Sequence, residues 1–76
     1  MQLGTRWTVG EQPPSRLTED VVAAIAGVEA ELAGIDTTGW RWTLTWLEGR
    51  PVAELDDGTV VRVDHTGAIS VEEPAE

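Results

Sequence analysis

Between Trp40 and Trp46 the large apolar side chains fall on every even position, Trp40, Trp42, Leu44 and Trp46, with Arg41, Thr43 and Thr45 between them. Successive side chains of an extended strand point to opposite faces, so this alternation predicts a strand with one buried face. Afterwards the odd positions carry the apolar residues: Ala53 and Leu55, then Val61 and Val63, then Ile69 and Val71. A slip of one residue turns a strand inside out, so the loop lengths must reconcile these phases. Parity changes between Trp46 and Ala53, which requires an even loop. Gly49-Arg50 supplies the Gly-X pair of a two-residue II′ turn, pairing Trp46 with Ala53 and Leu44 with Leu55. Parity is kept between Leu55 and Val61, so the loop there is Asp56-Asp57-Gly58, with Gly58 left-handed in a G1 bulge. The same reasoning gives His65-Thr66-Gly67 for the last hairpin and sets Val63 opposite Ile69. All three turns agree on one buried face, which predicts an antiparallel four-stranded β-meander over residues 39–72. Leu3, Thr5, Trp7 and Val9 alternate too, making residues 1–9 a candidate extra N-terminal strand whose place in the sheet is left open.

Ahead of the meander the spacing changes from two to between three and four. Leu17, Val21, Ala24, Ile25, Val28 and Leu32 lie on one stripe of a helix. Thr18 is its expected N-cap, Glu19 and Asp20 put negative charge where the helix dipole favours it, and Leu17 can meet Val22 as a hydrophobic staple. Pro13 and Pro14 prevent an earlier start, which leaves residues 10–16 as a linker. At the far end Gly34 suits a left-handed C′ position with Ile35 folding back behind it, so the helix is expected over residues 18–33. Residues 73–76 form a short acidic tail. The expected architecture is a single α+β domain: one amphipathic helix packed on the meander.

The opposite helix face carries Ala23, Ala26, Gly27 and Ala30, where an exposed helix more often has charged or amide side chains. Alanine is a strong helix former. Gly27, however, costs about 0.5–1 kcal/mol relative to Ala inside a helix, and close packing against a partner or a second copy gives it a reason.

The formal net charge is −9, from 14 acidic residues against five Arg and no Lys. Nothing in that balance can replace the counterions of a nucleic acid, so direct nucleic-acid binding is not expected, whereas a basic partner would be steered in. The absence of Cys removes disulfides, thiolate chemistry and Cys-based metal sites. No stretch reads as a signal peptide or a bilayer span, so a cytoplasmic protein without membrane association is expected. Lys, Asn, Phe and Tyr are all missing while Ala, Gly, Val, Asp and Trp are common, a bias that reads as GC-rich bacterial coding.

Chemistry-bearing groups are few. His65 is the sole His and sits in a turn. The alternation of hairpins places it at the opposite end of the sheet from Asp56 and Asp57, out of reach for general acid-base work. Asp36, Asp56 and Asp57 can gather at one end, but in no spacing that calcium loops use. Thr37, Thr38 and Ser70 have no base beside them. No catalytic residue, metal ligand or cofactor site is therefore expected. Arg41 and Arg62, on the outer sheet face, are expected to pair with Glu54 and Asp64. The Trp-rich strand exceeds what a small core requires. One reading puts all three Trp of this strand in the core, with Ala53 leaving room for Trp46; the other leaves Trp40 or Trp42 at the start of the strand, with Trp7, partly exposed as candidates for partner contact, since Trp is frequent among interface hot spots.

The run from Val60 through Val63-Asp64-His65-Thr66-Gly67 to Ile69 resembles the strand-Asp-turn-Gly-strand ending of PepSY domains, over about a seventh of the chain. That resemblance implies a helix placed before a short meander, in a family often associated with peptidase regulation in secreted or membrane proteins. From the residues themselves, the expected function is a non-catalytic protein-binding module, such as a small acidic accessory subunit, regulator or inhibitor. The alternatives are an antitoxin-like or nucleic-acid-mimicking inhibitor and a self-associating structural protein, a homodimer in its simplest form.

Overall fold

The computed structural model describes residues 5–73. Leu3, the first residue of the N-terminal alternation, and residues 74–76 of the expected tail lie outside that range. The order of elements is β1 (Thr5–Thr8), α1 (Glu19–Glu31), β2 (Arg41–Leu47), β3 (Arg50–Leu55), β4 (Val60–Val63) and β5 (Ile69–Glu72). The strands form one antiparallel sheet in the order β1-β2-β3-β4-β5, with the helix packed on one face, so the fold is α+β. The N-terminal strand is present, and its place is now fixed at the edge beside β2, with Trp7 opposite Trp42. No helix among the described residues is long and apolar enough to cross a membrane.

Two of the three turns are those that parity required. Leu55 N–H donates to Thr59 C=O across Asp56-Asp57-Gly58, where Gly58 has φ 102°, and Ala53 faces Val61. Asp64 N–H donates to Ala68 C=O across His65-Thr66-Gly67, where Gly67 has φ 89°, and Val63 faces Ile69.

The β2–β3 turn differs. It is Glu48-Gly49, closed by Leu47 and Arg50, and both central residues have positive φ, 54° and 79°, the I′ geometry. The register moves by two residues, so Leu44 faces Ala53, Trp42 faces Leu55 and Trp46 faces Pro51. Proline explains the choice. A Gly49-Arg50 turn would need the N–H of residue 51 to close it, and Pro51 has none. In the observed register Pro51 lies beyond the β3–β4 pairing, which begins at Val52, so no ladder bond is lost. Both turns contain two residues, and the buried face is therefore unchanged. Glu48 bears the strain of a left-handed backbone, for which Asn is far better suited. Glu48→Asn is expected to raise stability by ~0.5–1 kcal/mol, less whatever the exposed Glu48–Arg50 ion pair contributes, and urea unfolding would read the gain.

The helix begins as expected, with Thr18 extended (φ −72°, ψ 162°) and its carbonyl accepting from Val22 N–H, although the Thr18 side chain makes no cap hydrogen bond. Its end is different. The last turn tightens, with Leu32 N–H bonded to Glu29 C=O and Ala33 N–H to Ala30 C=O, and Ile35 N–H reaches Leu32 C=O. These three-residue bonds satisfy the terminal carbonyls without a left-handed residue. Gly34 accordingly has no positive φ, and Ile35 stands 54% exposed instead of folding back.

Val21, Ile25 and Val28 from the helix and Leu17 before it meet Trp7, Trp42, Leu44, Ala53, Leu55 and Val61 from the sheet in one core. The helix backbone comes nearest to β4 and β5, where the side chains beneath are short. The other half of the layer is filled by the Trp7 and Trp42 indoles, stacked with centroids 6.2 Å apart and planes 15° from parallel. Such a pair is worth about 0.5–1.5 kcal/mol beyond the area it buries.

Candidate functional site

The Trp candidates divide. Trp42 is completely buried and Trp7 nearly so, at 7% exposed, because both point into the layer under the helix. Neither presents a surface to a partner: the core reading holds for Trp42, and Trp7 and Trp42 drop out as contact candidates. Trp46, expected in the core, is half-buried at its margin opposite Pro51. Trp40 is half-buried, and its backbone is held on both sides: its N–H donates to Thr37 C=O at 2.9 Å and its C=O accepts from Val9 N–H at 3.2 Å. Among the four indoles, Trp40 and Trp46 are the ones with surface to offer.

On the helix Ala23, Ala26, Gly27 and Ala30 are all exposed. A Cβ built on Gly27 would meet nothing within 4 Å. Packing within the described residues therefore gives no reason for glycine at this position. Three surface concavities are lined neither by this stripe nor by an indole.

A residue that sequence reasoning missed organises the layer between helix and sheet. Glu29, half-buried on the flank of α1, accepts the Trp42 Nε1–H at 2.9 Å and the Gly10 N–H at 3.3 Å, both on Oε2. It ties the helix to β2 and to the linker. The signal was available: Glu29 lies seven residues after Val22, on the same flank, and a buried Trp42 requires an acceptor for its indole N–H. Trp7 Nε1 is buried with no partner among the described residues.

The turn carboxylates hold backbone. Asp36 accepts from Thr38 N–H at 3.0 Å, Asp57 from Thr59 N–H at 2.8 Å and Asp56 from Arg41 N–H at 3.0 Å. Among the described residues no three His, Cys, Asp or Glu converge as a metal site. Asp64 is the most heavily engaged: its Oδ1 accepts from Thr66 Oγ1, Thr66 N–H and Ala68 N–H at 2.5, 2.8 and 3.1 Å. The Thr66 side-chain bond first, then the Thr66 and Ala68 amides and the neighbouring His65, hold its carboxyl below the ordinary value of 3.8. Thr38 does the same for Asp36. A carboxyl whose folded value is depressed contributes stability above its unfolded value, and that contribution is lost as pH falls through the folded one. Acid unfolding of the parent should therefore steepen below about pH 3.8, and Asp64→Asn should flatten that part of the profile. An Asp64→Asn curve parallel to the parent below pH 4 would show that the bonds to Asp64 Oδ1 do not depend on its ionisation.

His65 is exposed and lines a concavity of about 340 Å3 on the outer sheet face, with Leu47, Arg50, Arg62, Ser70 and Glu72 among its neighbours. The adjacent carboxylate of Asp64 is engaged by its own turn and gives the imidazole no orienting partner. The outer-face arginines depart from expectation. Arg62 pairs with Glu72 on β5, which lies within reach because Ser70, two residues away, is Arg62's direct cross-strand neighbour. Arg50 pairs with Glu48 at 3.0 Å across the turn. No ion pair of Arg41 with Glu54, or of Arg62 with Asp64, occurs among the described residues; Arg41 faces Thr8 and Glu54 faces Thr43 and Val60.

No family model, curated protein or solved structure matches this chain, so the resemblance to PepSY domains stands on residues 60–69 alone.

Proposed function

We propose that this protein is a non-catalytic protein-binding module, a small acidic accessory subunit, regulator or inhibitor that acts in the cytoplasm and meets its partner through the small-residue face of α1. The observation that carries this reading is Gly27. It stands in mid-helix between exposed Ala23, Ala26 and Ala30, where glycine costs about 0.5–1 kcal/mol and open space surrounds it. A backbone that must be approached closely from outside would account for it. The net charge of −9 favours a basic partner over a second copy, since like charges oppose self-association. Half-buried Trp40 is a secondary contact candidate, its backbone already fixed and little entropy left to lose.

Affinity capture from the native host tests the reading, with Ala26→Glu as the disrupting variant and Trp40→Ala as the second. Ala26→Glu is at an exposed helix position and should leave the circular dichroism spectrum unchanged. It is expected to weaken capture of any specific partner by at least ~2 kcal/mol, the size of an interface hot spot. If a partner is held equally by the parent and by both folded variants, the helix face and Trp40 are not its binding surface.

A further inference from the structure

The two edges of the sheet are not alike. In an antiparallel ladder, residues that exchange hydrogen bonds alternate with residues that do not. Asp64 N–H donates to Ala68 C=O, and Arg62 and Val60 face Ser70 and Glu72, so Ser70 and Glu72 bond to β4. Ile69 and Val71 therefore turn their N–H and C=O groups outward, and no described strand pairs with them. On β1 the outward residues are Arg6 and Thr8, and at Thr8 both groups are covered, the N–H by the Glu11 carboxylate at 3.0 Å and the C=O by the Glu11 N–H at 3.0 Å. Natural sheets protect their edges in such ways. Among the described residues, β5 has no comparable cover.

Beside that open edge, on the helix side of the sheet, lies a groove of about 200 Å3. Its floor is apolar, made by Val28 and Leu32 of the helix region and by Val71, which is 45% exposed. Its rim is Glu31, Asp57 and Glu73, and no basic residue lines it. An apolar trough with carboxylates at its lip matches a long basic side chain, whose methylene stem seeks apolar surface while its charged head seeks oxygen. A second copy fits poorly, because it would bring an identical acidic rim against this one.

We propose that the outer edge of β5 takes an extended, arginine- or lysine-bearing segment of a partner protein as an added strand, with one basic side chain laid along the Val28–Leu32–Val71 floor and its head at the Glu31–Asp57–Glu73 rim. Main-chain bonds to Ile69 and Val71 give the attachment and the groove gives the side-chain preference, the usual division of labour in strand addition. The proposal rests on the protein-binding reading above but uses a different surface.

The probe is a fluorescein-labelled octapeptide of alternating Val and Arg, titrated into the intact protein by anisotropy and by amide NMR. Binding should shift the amide signals of Ile69 and Val71, and Glu31→Gln with Glu73→Gln should weaken it roughly threefold to tenfold, as expected for exposed ion pairs. Val71→Pro removes one outward donor without touching the bonds to β4, and should abolish the shift at Ile69. The same peptide N-methylated at alternate residues provides the control that needs no change to the protein, and it should bind at least about tenfold more weakly. Equal binding of the N-methylated peptide, or binding with the Ile69 and Val71 signals unmoved, would mean diffuse charge attraction and would overturn the proposal. So would shifts of those signals that depend on protein concentration without peptide, which would assign the edge to a second copy. The two readings fail separately. Loss of partner capture in Ala26→Glu with no peptide on β5 removes the edge proposal alone, and edge binding with capture indifferent to Ala26→Glu removes the helix-face reading alone.

Discussion

Trp42→Ala is expected to lower stability by ~3–5 kcal/mol, the usual cost of deleting a buried large aromatic side chain. A chain of this size has in total roughly 4–11 kcal/mol to lose, so the variant will be largely unfolded or close to it at physiological temperature. Three things disappear together. Trp42 is completely buried on β2 beneath the helix, its ring stacks on Trp7, and its indole N–H is bonded to Glu29. The layer cannot collapse into the gap, because the Trp7–Trp42 stack is what fills the space between the helix and the β1–β2 half of the sheet. The melting temperature should fall by roughly 12–40 °C, read by far-ultraviolet circular dichroism. Trp46→Ala, at a half-buried margin, is the internal comparison and should cost less than half as much. Equal losses at the two positions would mean that Trp42 does not have the central place described for it.

The second large effect is at Glu29. Glu29→Ala removes the acceptor of both the Trp42 indole and the Gly10 amide, and should cost ~2–3 kcal/mol, since hydrogen bonds to a charged group are worth more than neutral ones and the indole would keep a buried, unpaired donor. Glu29→Gln retains a carbonyl oxygen where both bonds end, and should lose about half as much. The coupling can be isolated in a cycle with Trp42→Phe, which keeps an aromatic ring and deletes the N–H. Glu29→Ala should be milder by ~1–2 kcal/mol in the Trp42→Phe background than in the parent. Additive losses would show that the Glu29–Trp42 bond contributes nothing to the native state.

Gly27 and Glu29 bear on function through the same helix. Burial of Val21, Ile25 and Val28, together with the bond from Trp42 to Glu29, sets which flank of α1 faces the sheet, and this leaves Ala23, Ala26, Gly27 and Ala30 facing outward. A helix rotated by one residue would bury part of the small-residue stripe and break the bond to Trp42. Loosening of the layer in Glu29→Ala should therefore weaken partner capture as well as stability, whereas Ala26→Glu should affect capture only.

Much of the fold was legible because strand periodicity and loop parity are local properties. Alternation placed Leu44, Ala53, Leu55 and Val61 on the buried face, and odd loops at Gly58 and Gly67 followed from that without reference to any distant contact. The β2–β3 turn was misread for a reason that is also local, since Pro51 lacks the donor a Gly49-Arg50 turn requires. The two registers differ by two residues, so every side chain keeps its face: parity is fixed by burial, while register within a parity class is fixed by turn chemistry.

Local pattern could not determine which tryptophans would be covered. A helix of 13 residues can shield only part of a five-stranded sheet, and where it lies depends on the thickness of the side chains beneath it. Val61, Val63 and Ile69 of β4 and β5, shorter than an indole, let the helix come close there, and the stacked Trp7 and Trp42 then close the wedge on the other side. Residue identity and spacing along the chain are enough to set the elements, the buried face and the acidic, lysine-free surface. The place of β1, the burial of Trp7 and Trp42, the bond from Trp42 to Glu29 and the open edge at β5 emerge only when helix and sheet pack, because each depends on how two separately specified surfaces share one small volume.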